Sequence, residues 1–483
     1  MISKVNKYHS FKGTEIAGSI ISSMSDNIVV YFDPDVDGMI SGYFVCKFLT
    51  MKGKRFEWYV NTDRSHDWGI DISKLSGKDV IAVDFRIDES IVRSIVEAGS
   101  SILSMDHHVN QDSLINIQFN GNNGLVINNQ YPFEDEDGRY LSGAGVVFNV
   151  LRILDNRFDT IENRALVGLT LLSDVCNIEN DEARGYLYDL YNHKYKGYIK
   201  YLIENTLGSK DFGFGVPRLD RKYVDYKFSP AINSNLRFNK EDDVVRFFLG
   251  SGKLDLSYHD KQKKLISDMT SLATVKEYSN LRVVVIKDWE LQDEGYKNVC
   301  SNFVGLLASK YLGTKSVIAY IVSTIDGKPY VKRASFRGNI NGADYLTPIS
   351  KLVNGVGHQS AFGILDLMPS NTLFLRINTI CSNVESDYSE VSYVVETSNL
   401  SMFINKKGKD LGEYNMYCLS KNNRYIRYKG KNIKKVGGND ISFRKYLVDN
   451  VQITSFDMGI DFDNGVIYPI LERGYLCLYL VKV

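Results

Sequence analysis

The chain has 483 residues, with 58 Lys plus Arg against 58 Asp plus Glu, 44% hydrophobic and 24% charged. That length predicts about three domains, and the composition excludes a disordered chain. Zero net charge excludes a protein that grips nucleic acid by bulk charge, so any such grip must be local. No apolar run reaches the roughly 18 residues of a membrane-spanning helix, and the opening MISKVNKYHSFKG lacks the apolar block of a secretory signal; the expectation is a soluble, cytoplasmic protein with no membrane contact. Cys46, Cys176, Cys300, Cys381, Cys418 and Cys477 include no C-x-x-C pair, which suggests neither a zinc ribbon nor a disulfide framework.

From Asn27 to about Asp174 short β-branched runs alternate with helical-period stretches, the pattern of βαβ units and a mostly parallel sheet. Strands are predicted at Ile28–Phe32, Phe56–Val60, Val80–Val83 and Ile102–Met105, and helices at about Ile40–Met51, Asp88–Glu97, Gly143–Leu154 and Ile161–Leu172. Three of those strands run into an acid: Asp33, Asp84 and Asp106. In an open α/β sheet the carboxyl ends of the strands form the ligand crevice, so the three acids are expected to converge there. Helical stretches follow, including Asp242–Leu249 and a polar one from His259 to Glu277 suited to connecting two domains. A second βαβ-like region begins at Leu281 and runs through Ser316–Val322 and Tyr330–Arg337 into NGVGHQSAFG. After about Arg376 short alternating runs broken by Gly, Asn and Asp predict a β-rich domain.

The string DPDVDG, Asp33 to Gly38, sets carboxylates at Asp33, Asp35 and Asp37 directly after an apolar strand. An acidic turn would use the same residues. An EF-hand loop would not, because Phe44 stands where its bidentate Glu is required and a strand precedes the loop. The string MDHHVN adds Asp106, His107 and His108 after another strand, where one imidazole can meet a metal and the other stay free for substrate. With Asp84 between them and Asp174 closing the apolar run LVGLTLLSD, four separated segments supply oxygen and nitrogen ligands suited to hard or borderline divalent ions.

In order, DPDVDG, VDF (Val83–Phe85), DHH (Asp106–His108) and LLSDV (Leu171–Val175) resemble the four motifs of the DHH phosphoesterase superfamily. NGVGHQSAFG, Asn354 to Gly363, is similar to the GGGHxxAAG signature of the DHH-associated capping domain, departing from it at Val356 and Phe362. FSPAINSNLR, Phe228 to Arg237, and LSGAGVVFNV, Leu141 to Val150, resemble segments of RecJ-type exonucleases. Tyr31 stands where the small nanoRNases and cyclic-dinucleotide phosphodiesterases of the superfamily have His. The resemblance spans about residues 27 to 365.

It implies an α/β fold: a parallel-sheet DHH catalytic domain at 1–205, a helical connector at 206–278, a smaller α/β capping domain at 279–376, and a β-rich, OB-like nucleic-acid-binding domain at 377–483. It further implies two divalent cations, Mn2+ preferred or Mg2+. Asp35 and Asp84, with Asp33 nearby, would hold one, and Asp37, Asp84, His107 and Asp174 the second. Asp106 and His108 would be catalytic, His108 contacting the phosphate or protonating the leaving group. Asn233, Arg237, Arg337, Gly355, Gly357 and His358 would bind substrate phosphate, since guanidinium offers bidentate donors and glycine permits close approach.

In the tail, Lys421, Arg424, Tyr425, Arg427, Tyr428 and Lys429 belong to a run with no acid, either a solvated hairpin or a strip where tyrosines stack bases while cations follow the backbone. The activity implied is 5′ to 3′ digestion of single-stranded DNA in recombination, repair or replication, by a monomer whose candidate partners are single-strand-binding or replication proteins. The alternatives are a phosphodiesterase for short oligonucleotides or cyclic dinucleotides and a non-catalytic replisome scaffold, against which the intact acids argue. The Tyr-rich, Pro-poor composition, 31 Tyr to 8 Pro, would suit a low-GC bacterium or its phage.

Overall fold

The computed structural model describes residues 8–61, 68–75, 77–108, 114–131, 134, 136–174, 176, 181–191, 196–207, 223–339, 343–384, 392–395, 425–428, 433–438, 444–448, 451–455, 465–472 and 475–482. The chain forms two compact units, one from Met1–Asn233, Glu241–Leu254 and Ser392–Lys482, the other from Ser234–Lys240 and Asp255–Val391. No helix among the described residues is long and apolar enough to cross a membrane.

The first unit is built on a six-stranded sheet of β1 (Ile28–Phe32), β2 (Phe56–Val60), β3 (Asp79–Val83), β4 (Ile102–Asp106), β5 (Asn116–Phe119) and β6 (Asn122–Asn128), in the order β2-β1-β3-β4-β6-β5. All neighbours are parallel except β5 and β6. Every residue of β1 and β4 is buried, as expected of parallel strands covered on both faces, which explains their uninterrupted apolar runs. From β1 the chain moves outward to β2 and then returns to β3 on the other side, so the topological switch point lies between β1 and β3. The register pairs Phe32 with Val83 and Val83 with Met105, which brings the next residues, Asp33, Asp84 and Asp106, to one level.

The helices of this unit include, among the described residues, α1 (Thr14–Ser23), α2 (Val36–Met51), α3 (Glu89–Glu97), α4 (Gly143–Leu154), α5 (Ile161–Ser173), α6 (Asp181–Tyr191) and α7 (Gly197–Thr206), with a further helix at Glu241–Phe248. Side-chain caps start three of them: Asp35 accepts from Gly38 N at 2.9 Å, Ser142 from Gly145 N at 3.3 Å and Thr160 from Asn163 N at 3.1 Å. The first cap corrects the expected start of α2 at Ile40; the helix begins at Val36, and Asp37 and Gly38 sit in its first turn. The β5–β6 hairpin escaped the sequence reading because its strands are rich in Asn. Its turn, Asn120 and Gly121 at φ 49° and 86°, is nevertheless the Asn-Gly pair that two-residue hairpins favour.

The second unit holds a six-stranded sheet of β7 (Thr274–Glu277), β8 (Leu281–Lys287), β9 (Ser316–Ile325), β10 (Lys328–Arg337), β11 (Gly355–His358) and β12 (Ala361–Ile364), ordered β11-β12-β10-β9-β8-β7. Alternate residues feed two cores. Val283, Ile318 and Phe336 join Phe374 and Ile377 of the helix Asn371–Asn383, while Val284, Ile286 and Ala319 join Leu265, Met269 and Leu307 from helices Ser257–Leu272 and Val304–Tyr311. The polar helix expected over His259–Glu277 ends at Leu272, and Thr274–Glu277 instead pairs antiparallel with β8. The β-rich expectation beyond Arg376 is met, among the described residues, by seven strands grouped with the first unit, β13 (Ser392–Val395), β14 (Tyr425–Tyr428), β15 (Ile433–Gly438), β16 (Arg444–Val448), β17 (Val451–Ser455), β18 (Gly465–Glu472) and β19 (Tyr475–Lys482). Their order β13-β14-β18-β19-β17-β16-β15 includes two parallel pairs, whereas an OB fold is a five-stranded barrel.

Helix α2 lies against β1 through Gly42, where a Cβ would fall 2.6 Å from the buried Phe32 ring. Gly42→Ala is expected to cost about 1–3 kcal/mol through overpacking, more than the roughly 1 kcal/mol that alanine returns as helix propensity, read as a lowered midpoint in urea unfolding.

Candidate active site

Two helix N-termini and two strand ends meet at the switch point. Asp37, in the first turn of α2, accepts from the N–H of Gly143 at 2.7 Å and of Ala144 at 3.0 Å, so the free amides at the start of α4 grip both its carboxylate oxygens. Asp84 follows β3 at φ 66°, a left-handed conformation costing a non-glycine residue roughly 1–2 kcal/mol. Its Oδ1 is buried without a hydrogen bond. Glycines make room for this crowding: a Cβ at Gly143 would sit 2.3 Å from Asp84 Oδ1, and one at Gly38 would sit 2.4 Å from the carbonyl oxygen of Asp33.

His107 is the hub. Its Nε2 lies 3.2 Å from Asp84 Oδ1, 3.7 Å from Asp37 Oδ2 and 3.7 Å from Asp174 Oδ2, the last supplied by the C-cap of α5. Burial, then the charge of Asp174 and Asp35, pushes the Asp37 carboxyl well above its ordinary range, against the lowering by the two amides. Burial, followed by repulsion from Asp37, Asp35, Asp33 and Asp174, does the same to Asp84. Five carboxylates thus feel one another inside a buried pocket.

His108 borders the same cluster, one ligand atom each of Asp84, His107 and His108 lying within 4.8 Å of the others. Its Nδ1 is 2.8 Å from Asp106 Oδ1, and Asn128 Nδ2 donates to Asp106 Oδ2 at 3.1 Å and to the carbonyl of His108 at 2.9 Å. Burial raises the Asp106 carboxyl, but His108 and its hydrogen bond hold it below the usual range overall. Asp106 is fully enclosed and holds the His108 ring from within through this bond.

Asp33 is buried, with Asn61 Nδ2 3.5 Å from its Oδ1, and Asp35 is engaged in part by its cap. The other expected phosphate ligands belong to other elements. Asn233 and Arg237 lie on the helix Ser229–Arg237, and Arg237 Nη1 donates to Gln262 Oε1 at 3.3 Å. Arg337 ends β10, its Nη1 donating to Ser335 Oγ at 2.8 Å and to the Phe336 carbonyl at 2.7 Å; burial pushes its guanidinium down to about 10. Gly355, Gly357 and His358 form β11, and Gly357, at φ 136°, packs so closely on Phe362 that a Cβ would lie 3.0 Å from its Cα. Tyr425, Arg427 and Tyr428 are in β14, whereas Lys421, Arg424 and Lys429 lie outside the described residues.

Asn128, the Gly143 and Ala144 amides and Cys176 are site groups the sequence reading did not name. Asn128 was signalled only by ending the unread strand β6.

Asp37 and Asp84 fit a divalent cation centre, since buried, mutually repelling carboxylates around an imidazole are oxygen and nitrogen ligands awaiting positive charge. Without cations, carboxyls whose folded-state titration is raised contribute stability below the unfolded value near 4, and lose it as pH rises through the folded one. Unfolding midpoints in chelator should therefore fall as pH rises above about 4 and recover with Mn2+, by about 2.7 kcal/mol at a hundredfold excess over Kd. Asp84→Asn, neutral and tolerant of the left-handed backbone, should raise the chelated midpoint and flatten its pH dependence. Asp37→Asn should not stabilise, because the two backbone N–H groups reach separate oxygens and the amide puts an NH2 donor against one of them.

Residues 27–172 match the family described as DHH family, N-terminal domain. Comparison with curated proteins finds no match. Among solved structures, RecJ from Thermus thermophilus in complex with Mn2+ is similar over 100% of this chain and 72% of its own, at 15% identity and a TM-score of 0.61. The same protein with Mg2+ gives 14% identity, 100% and 71% coverage, and a TM-score of 0.57. An exonuclease RecJ bound to manganese gives 17% identity, 79% and 98% coverage, and 0.52. The likeness to the DHH family is thus carried by residues 27–172, and the chain has a RecJ-like fold.

Proposed function

We propose that this chain is a phosphoesterase that digests single-stranded DNA from an end, using two divalent cations held by Asp33, Asp35, Asp37, Asp84, His107 and Asp174. The observation that carries this reading is His107 Nε2 within 3.2–3.7 Å of carboxylates from three separate segments. The RecJ of Thermus thermophilus binds Mn2+ and Mg2+, and the RecJ bound to manganese is an exonuclease, which supports the metal and the reaction type. Cations bound there would activate water and neutralise charge building on the attacking and leaving oxygens of a phosphodiester.

The chain's own groups have separable tasks. Asp37, fixed by two amides, keeps its carboxylate aimed without a search over rotamers. Asp106 holds one ring nitrogen of His108, and the other is assigned to meet a phosphate oxygen or to hand a proton to the leaving group. In the second unit, Arg337 is a partly buried cation that donates to neutral oxygens of its own strand, a setting that favours a phosphate. Arg237, Asn233, Gly355, Gly357 and His358 are proposed as further phosphate contacts, and Lys421, Arg424, Tyr425, Arg427, Tyr428 and Lys429 as a strand-binding strip.

The test is digestion of single strands of DNA and RNA, labelled at either end, with Mn2+. Wild type should shorten long DNA from its 5′ end. His107→Ala and Asp174→Ala should each lose at least about 100-fold in rate, and Asp106→Asn should lose rate without losing Mn2+ affinity. Arg337→Ala should raise KM more than it lowers kcat. Efficient cleavage of dinucleotides with long strands ignored would instead identify an oligonucleotide phosphodiesterase, and no hydrolysis of any substrate would reject the reading.

A further inference from the structure

Cys176 has no part in the tasks above, yet it points into the same pocket. Its backbone N–H donates to the Leu171 carbonyl at 3.0 Å, which turns the chain back after α5. The thiol then lies 3.4 Å from Asp174 Oδ2, the same oxygen that stands 3.7 Å from His107 Nε2. One ligand atom from each of His107, Asp174 and Cys176 lies within 4.8 Å of the others. Beside them, 3.2 Å from His107 Nε2, is the buried Asp84 Oδ1 that makes no hydrogen bond. The grouping is nitrogen, oxygen and sulfur, with a further oxygen at hand, a donor number and mixture that suit tetrahedral Zn2+.

We propose that Cys176 is a soft ligand built into one half of the cation centre, so that His107, Asp174 and Cys176 capture Zn2+ or another thiophilic cation in preference to Mn2+ or Mg2+. Carboxylate and imidazole accept either class of ion, whereas a thiolate selects the softer. On binding, the S–H bond breaks, sulfur gives its electron pair to the cation and the proton leaves to solvent, so capture releases one proton and leaves no change of oxidation state. Zn2+ is then an inhibitor competing with the working cation. The inference rests on the reading of this cluster as a cation centre.

Co2+ is the probe, added to the full-length chain after chelation. Wild type should show a near-ultraviolet thiolate-to-cobalt band that Cys176→Ser lacks, and the variant should bind Zn2+ about 10- to 100-fold more weakly, at least the loss that follows removal of an outer partner of a ligand. In wild type alone, Zn2+ should slow alkylation of Cys176, read by mass spectrometry of its peptide, which keeps the test valid if the variant folds poorly. Identical cobalt spectra in the two proteins, or Cys176 alkylation unchanged by Zn2+, overturns the inference. If those results accompany normal Mn2+-dependent hydrolysis, only the cysteine's role fails; if neither Co2+ nor Mn2+ binds at all, the cation centre itself fails with it.

Discussion

Like charges held together in a buried pocket are the constraint on which the first unit depends. Asp37 and Asp84 are each about 1% exposed, with Asp33 equally enclosed and Asp35 and Asp174 close enough to raise their titration. Left to themselves, such carboxylates would separate or take up protons. They stay because each is fixed by something other than its neighbours: Asp33 and Asp84 by strand ends in register, Asp37 by the amides of α4, Asp174 by the end of α5. Rigidity gained in this way is a store of unfavourable energy that positive charge would release, which is why the pocket suits cations.

The sequence carried the skeleton of this arrangement well. Apolar runs ending in Asp33, Asp84 and Asp106 announced parallel strands and a shared end, because parallel strands buried on both faces cannot hide their composition. It also announced the histidine pair and offered a division of labour within it, but not the asparagine that holds the second histidine in place. That division depends on Asn128, and nothing in NNGLVINN distinguishes the asparagine that clamps Asp106 from those that make a turn. Likewise the start of α2 depends on whether Asp35 caps a helix or merely turns a loop, a choice decided by packing through Gly38 and Gly42. The role of Gly143 was equally hidden, since its lack of a side chain matters only once Asp84 stands opposite.

The second unit follows a simpler logic. Its sheet separates two apolar cores by strict alternation, and its Asp326-Gly327 turn, at φ 51° and 73°, joins β9 to β10 with the same economy as the Asn-Gly hairpin in the first. Against that regular background Arg337 stands out: a partly buried guanidinium at the end of a strand, with its hydrogen bonds turned back on that strand.

The contact between residue 143 and the carboxylate of Asp84 also links two places in the chain as one unit of inheritance. With 2.3 Å available where a Cβ would go, no side chain can appear at 143 while an acid occupies 84 in its present position. Nor can the acid lengthen to Glu, which keeps the charge but is less at home in a left-handed backbone and needs the volume that Gly143 leaves. Drift at either position must wait for the other, so descendants of this chain should change the pair together or not at all.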